Sequence, residues 1–230
     1  MSFESDSNFI TGQCSPSHGG TGANFGRLDQ SKSDTRAEIL QSISMDYDER
    51  PVSYHSLEKP FEVVKSQLPN LIRQRDVWRD VVVDGVPVMN RLYFDVGDGM
   101  RVFLHRLDPS PRNNLPVLHY HQWPSIVHVH KGGYRQQFAF GPPSVKAPPI
   151  CAAMDVLPGT QYEMVHPHLW HSVILSKPSW STMLMKYSHP EFGDNAIPVT
   201  DFTLSLKYPS LSAEDRKEMF EQFEQFYPLQ

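Results

Sequence analysis

The chain reads as a mainly β domain, an antiparallel sandwich or small barrel with helices before and after it. Three observations predict this. From Val81 onward the apolar residues recur with a period of two. Turn signals such as Asp84-Gly85 and Gly97-Asp98-Gly99 separate short β-rich runs. Helical periodicity is confined to the first eighty or so residues and to the C-terminal end. At 230 residues and 39% hydrophobic content, one sizeable core in one principal domain is expected.

Residues 1–33 are rich in Ser, Gly and Asn and lack periodic apolar positions, which predicts a mobile tail. A helical extension follows over 34–80. Its first helix starts at Thr35, where Glu38 completes capping-box spacing and Ile39, Leu40 and Ile43 form a stripe. Its second part runs from Ser56 to Trp78, with Pro60 in a first turn and Pro69 expected to break it into two helices. The barrel-like region, 81–190, holds β-candidates at 86–96, 100–107, 117–121, 125–130, 134–140, 150–157, 162–165, 172–175 and 182–187. The Pro142–Pro149 stretch reads as a surface loop. In the final extension, 191–230, a helix capped by Ser212 and Asp215 carries Met219, Phe220, Phe223 and Phe226 on one face, suited to docking on the sheet.

A net charge of −5 and the absence of a basic stripe argue against a nucleic-acid binder. No apolar run is long enough for a transmembrane helix, and the acidic N-terminus lacks the pattern of an export signal, so a cytoplasmic protein with no membrane partner is expected. Cys14 and Cys151 are too few for a disulfide framework and have no metal-binding spacing.

Seven of the eleven histidines lie in two short patches: His119, His121, His128 and His130, then His166, His168 and His171. Residues two apart on a strand point to one face, so His119 and His121 can offer two imidazoles to one ion. A third ligand should come from another strand. His171, after the turn at Pro167, supplies it. If Ser125 points inward, then Val127 and Val129 share its face while His128 and His130 point the other way, outside this site. The turn at Pro167 interrupts parity for His166 and His168, which are candidates for supporting contacts or substrate binding. Trp123 and Trp170 flank the ligand segments as pocket or packing residues. Arg101, Arg106 and Arg135 are candidates to clamp a substrate carboxylate, Arg135 being nearest in sequence to the histidine motif.

Over Val86 to Tyr187 the chain resembles the cupin superfamily. His119, His121 and Gly132 hold the places of its first motif, while Ser125 stands where that motif has Glu. Gly159, Pro167 and His171 resemble the second motif, with one residue fewer between proline and histidine and His168 in place of a glycine. The resemblance implies a cupin-like barrel, the double-stranded β-helix or jelly roll. The missing Glu makes the site similar to that of the three-His thiol dioxygenases. Their Ser-x-His-x-Tyr relay, however, reads here Met183-Leu184-Met185-Lys186-Tyr187, with Tyr187 alone retained.

The functional expectation is therefore a metal-dependent enzyme. His119, His121 and His171 would hold a divalent transition metal, Fe(II) first and Mn, Ni, Cu or Zn as alternatives, and Tyr187 or Arg135 would orient a small organic substrate for oxidation by O₂. Lyase or isomerase chemistry at the same ion, and a non-catalytic cupin that binds a small molecule or a protein, are the other readings. Exposed strand edges leave room for a homodimer.

Overall fold

The computed structural model describes residues 56–83, 87–109, 118–121, 123–142, 146–166, 168–186 and 209–229. The expected tail, the helix at Thr35, the Asp84-Gly85 turn and Tyr187 lie outside the described residues. The described chain is mainly β and wholly antiparallel in its pairings. Its strands are β1 (Arg79–Val83), β2 (Val88–Gly97), β3 (Met100–Asp108), β4 (His119–Tyr120), β5 (Ser125–Lys131), β6 (Tyr134–Phe140), β7 (Ile150–Val156), β8 (Gln161–Met164), β9 (Leu169–Ile174) and β10 (Ser179–Lys186). Helix α1 (Glu58–Leu71) and a 3₁₀ turn (Arg75–Val77) precede them, and α2 (Ala213–Phe226) follows.

The strands form two sheets, a six-stranded one in the order β1-β2-β3-β10-β5-β8 and a four-stranded one in the order β4-β9-β6-β7. Among the described residues no ladder joins the two, so the pairing gives a double sheet rather than a continuously bonded barrel. Between β5 and β6, Gly132 takes a φ of +85°, and a Cβ there would run into the carbonyl of Pro178. Only glycine fits both conditions. The predicted Gly97-Asp98-Gly99 turn joins β2 to β3, all three residues having positive φ.

Strand parity divides the six-stranded sheet into two faces with separate cores. Leu92 and Val96 of β2, Val102 and Leu104 of β3, Ile126 of β5, and Trp180 and Leu184 of β10 pack against the helices. Phe61, Val64, Leu68 and Leu71 of α1 and Met219, Phe220 and Phe223 of α2 complete that core. The alternate residues, Phe103, Leu107, Val127, Val129, Met183 and Met185, face the four-stranded sheet and pack with Tyr134, Val156 and Leu175. Strand β10, covered on both faces, is buried over all but its last residue.

The helices are tied down by specific contacts. The Ser212 hydroxyl accepts the Asp215 N–H at 3.0 Å, capping α2 as the sequence predicts. Arg216 reaches from α2 to Asp80 and, at 2.8 Å, to the carbonyls of Arg75 and Trp78, fastening α2 to the entry of the sheet. Pro69 does not break the helical segment in two: α1 runs through it to Leu71. The missing N–H falls in the last turn, where the buried side chains of Leu68, Leu71 and Ile72 hold the backbone and Ile72 N–H still reaches Leu68 O at 2.9 Å. The region expected as a second helix is the 3₁₀ turn, and the period-two run beginning near Val81 opens slightly earlier, as β1.

Candidate metal centre

Three strands supply the site. On β4 and just beyond it, His119 and His121 share a face, and β4 pairs with β9 so that His119 lies directly opposite His171. The side-chain nitrogens these three histidines can offer lie within 4.8 Å of one another. The ring centroids are 5.1 Å apart for His119–His121, 4.4 Å for His119–His171 and 4.9 Å for His121–His171. Nε2 of His121 and Nε2 of His171 are 2.9 Å apart.

That separation is a hydrogen-bond distance between the two rings, and it also fits ligation of one shared ion in place of that bond. Two imidazole nitrogens bound about 2.05 Å from the same ion at a right angle would be about 2.9 Å apart, against about 3.3 Å at a tetrahedral angle. Two of the three rings are also in the right protonation state. Burial, with the neighbouring His119 adding to it, holds both His121 and His171 well below the usual imidazole pKa, so both rings are neutral and keep a lone pair.

Behind His171 stands a buried polar chain. Gln136 of β6 is wholly inaccessible, and its side-chain nitrogen lies 3.0 Å from His171 Nδ1, while its oxygen has no partner. Turning the amide over would let the oxygen accept Nδ1–H, the tautomer that leaves Nε2 free to bind a metal. Nearby, Tyr162 and Tyr134 share a 2.5 Å hydroxyl contact. Burial, reinforced by that pairing, raises the Tyr134 phenol well above its usual value.

The remaining predicted residues separate clearly. Ser125 is fully buried on the inward face of β5 with an unpartnered hydroxyl, and Trp123 lies 5.3 Å, ring to ring, from His121. His128 and His130 point to the helix side, as parity predicts: His130 Nε2 lies 2.9 Å from the Thr182 hydroxyl, and its ring stacks on Phe226. His166 and His168 contact each other, and His166 also contacts Phe140, without joining the three-histidine group.

The three arginines considered as carboxylate clamps are engaged by acidic residues instead. Arg135 is exposed and pairs with Asp155 at 3.2 Å, because it is one residue out of phase with Gln136 and so faces away from His171. Of the two roles open to Trp170, it takes packing: one residue out of phase with His171, it lies on Tyr120 on the opposite face and donates its N–H to Gly141 O at 3.0 Å. Arg101 is held by Asp95, while Arg106 is held by Asp108, Asp215 and Glu218, the latter two on α2.

Sequence reasoning missed Gln136, Arg91 and His105, although each carries a readable signal. Gln136 stands between Tyr134 and Phe138, Arg91 between Met89 and Tyr93, and His105 between Phe103 and Leu107. Each is a polar residue interrupting an inward-facing apolar alternation.

No protein-family model matches the sequence, and no curated protein matches it. Among solved structures, the chain is similar to KdgF from Halomonas sp. at 16% identity, over 49% of this chain and 88% of that one, with a TM-score of 0.35. It is similar to a cupin protein from Bacteroides fragilis at 13% identity, over 42% of this chain and 75% of that one, with a TM-score of 0.31. A third likeness is to Fe(II)-HppE with the alternative substrate (S)-1-HPP, at 12% identity, over 47% of this chain and 56% of that one, with a TM-score of 0.33. At these values the likenesses add nothing to what the strand pairing and the three-histidine group establish by themselves.

Proposed function

We propose that this chain is a metal-dependent, cupin-like enzyme in which His119, His121 and His171 hold one divalent transition-metal ion, Fe(II) foremost, for oxidation of a small organic substrate. The observation carrying this reading is the 2.9 Å approach of two neutral Nε2 atoms within a three-histidine group. A ferrous ion supplies the redox chemistry with O₂ that imidazole, amide and hydroxyl side chains lack. The protein's part is to fix the imidazoles through the β4–β9 register, orient His171 through Gln136, and surround the group with the apolar residues of the inner core.

A three-histidine set contributes no negative charge, so an ion held there keeps its full positive charge for an anionic substrate. A cytoplasmic, reducing setting suits Fe(II) and fits Cys151, a free thiol on exposed β7. Among the described residues no helix is long and apolar enough to cross a membrane.

Metal analysis of protein purified without chelators tests the reading, with His121→Ala as the comparison. The parent should carry about one transition-metal ion per chain and the variant far less, with circular dichroism unchanged. Equal metal in both would refute the site. Oxygen uptake over a panel of small organic acids tests the reaction, and turnover that persists without O₂ would replace oxidation by lyase or isomerase chemistry.

A further inference from the structure

The inner face of the six-stranded sheet carries three polar residues outside the three-histidine group that share one row. Arg91 of β2 lies directly opposite His105 of β3, and His105 lies opposite Ser181 of β10. All three alternate with Met89, Tyr93, Phe103, Leu107 and Met183, which face the four-stranded sheet carrying the histidines. His105 is only 5% exposed, and its Nε2 has no hydrogen-bond partner. An orphaned ring nitrogen in an apolar core is a cost that a ligand atom would remove.

The guanidinium of Arg91 lies over the Phe103 ring, 5.7 Å from its centre, and Phe103 in turn packs on His105 with ring centres 5.4 Å apart. Burial, with the charge of Arg91 adding to it, holds His105 well below the usual imidazole pKa. A neutral His105 can present Nε2–H as a donor on the same row as the Arg91 guanidinium, one N–H of which reaches Met89 Sδ at 3.1 Å, and an imidazole N–H together with a guanidinium is a combination matched to the two oxygens of a carboxylate.

We propose that Arg91 and His105 form an acid-binding site on the inner face of the six-stranded sheet, holding the carboxylate of a small organic acid with a short apolar body, its reactive end toward His119, His121 and His171. The orientation of the reactive end rests on the proposed metal function. The carboxylate site itself stands on residues of the other sheet. Phe103, Tyr93 and Met89 supply the apolar wall against the body of the acid.

The test uses metal-free full-length protein and propionate as the probe, with the His105 imidazole signals followed by NMR. Propionate should shift them saturably, and uncharged propionamide should not. Arg91→Gln should weaken propionate binding by about tenfold or more, the loss expected when a charged hydrogen-bond partner is removed. Arg91→Lys, which keeps the charge without the fork, should fall between the two. His105→Asn, which keeps a donor in a smaller side chain, provides a second variant should Arg91→Gln fail to fold; with the reporting imidazole gone, its propionate binding is read by titration calorimetry against the parent and should also be weaker. An unshifted His105, an equal response to propionamide, or parent-like binding by the folded variants overturns the proposal. Metal content of His121→Ala is read separately, so a failed metal function with an intact propionate response remains distinguishable from the converse.

Discussion

Replacing Gln136 by Leu should weaken metal binding while the protein still folds. For Nε2 of His171 to donate its lone pair to a metal, the proton of the neutral ring must sit on Nδ1, and Gln136 is the group 3.0 Å from that atom. Leucine removes the acceptor at a wholly buried position, so metal binding would strand Nδ1–H. An unsatisfied buried donor costs about 1–3 kcal/mol, and every 1.4 kcal/mol is about tenfold in affinity. The expected loss is therefore about 10- to 100-fold, the range typical for partners that orient a metal-binding histidine. Competition between metal-free protein and a chromophoric chelator for Co(II) or Zn(II) measures it, with thermal melts confirming that both proteins fold. Gln136→Glu offers a stronger acceptor at the same reach and should bind metal more tightly than Gln136→Leu. A Leu variant with parental affinity would sink the argument that Gln136 selects the tautomer of His171.

Burial, with His128 and Lys65 nearby, pushes His130 down to about 3, and its ring is held by Thr182, Tyr227 and Phe226. The unfolded chain takes up this proton near pH 6.5 and the folded protein only near 3, so stability falls as pH drops through that window, by about 2 kcal/mol at pH 5 from this group alone. Urea melts across pH should show a flatter acid limb for His130→Gln than for the parent; parallel limbs would contradict the assignment. Ser125→Ala removes a buried hydroxyl that has no partner, so the melting temperature should stay level or rise, and a clear drop would show that the hydroxyl is engaged. Gly132→Ala introduces a side chain at positive φ against the Pro178 carbonyl and should lower stability by at least about 1 kcal/mol, read from denaturant midpoints.

Most of the architecture was legible because a half-buried strand writes its burial into alternation. The boundaries of β6 coincide with the predicted run, and the separation of His128 and His130 from His121 follows from parity carried along β5. The metal group was legible for the same reason, with His119 and His121 on one face and His171 on a different strand. Pairing was not legible: nothing local states that β4 lies against β9 or that β3 lies against β10. Arg91 and His105 come together only through the β2–β3 register, and Gln136 meets His171 only through the packing of β6 on β9. Arg135 was favoured for nearness in sequence, which strand parity overrides in a single residue step.

The position of β10 bears on how the protein is made. Although it is the last strand of its sheet in chain order, it sits between β3 and β5 and bonds to both. Until residues 179–186 have left the ribosome, β3 and β5 each present an open edge, together with the apolar inward-facing residues Phe103, Val127 and Val129. Such nonlocal closure slows folding and leaves nascent chains open to edge-to-edge association. Fragments ending before β10 should accordingly collect in inclusion bodies even though every histidine of the metal group has already been synthesised.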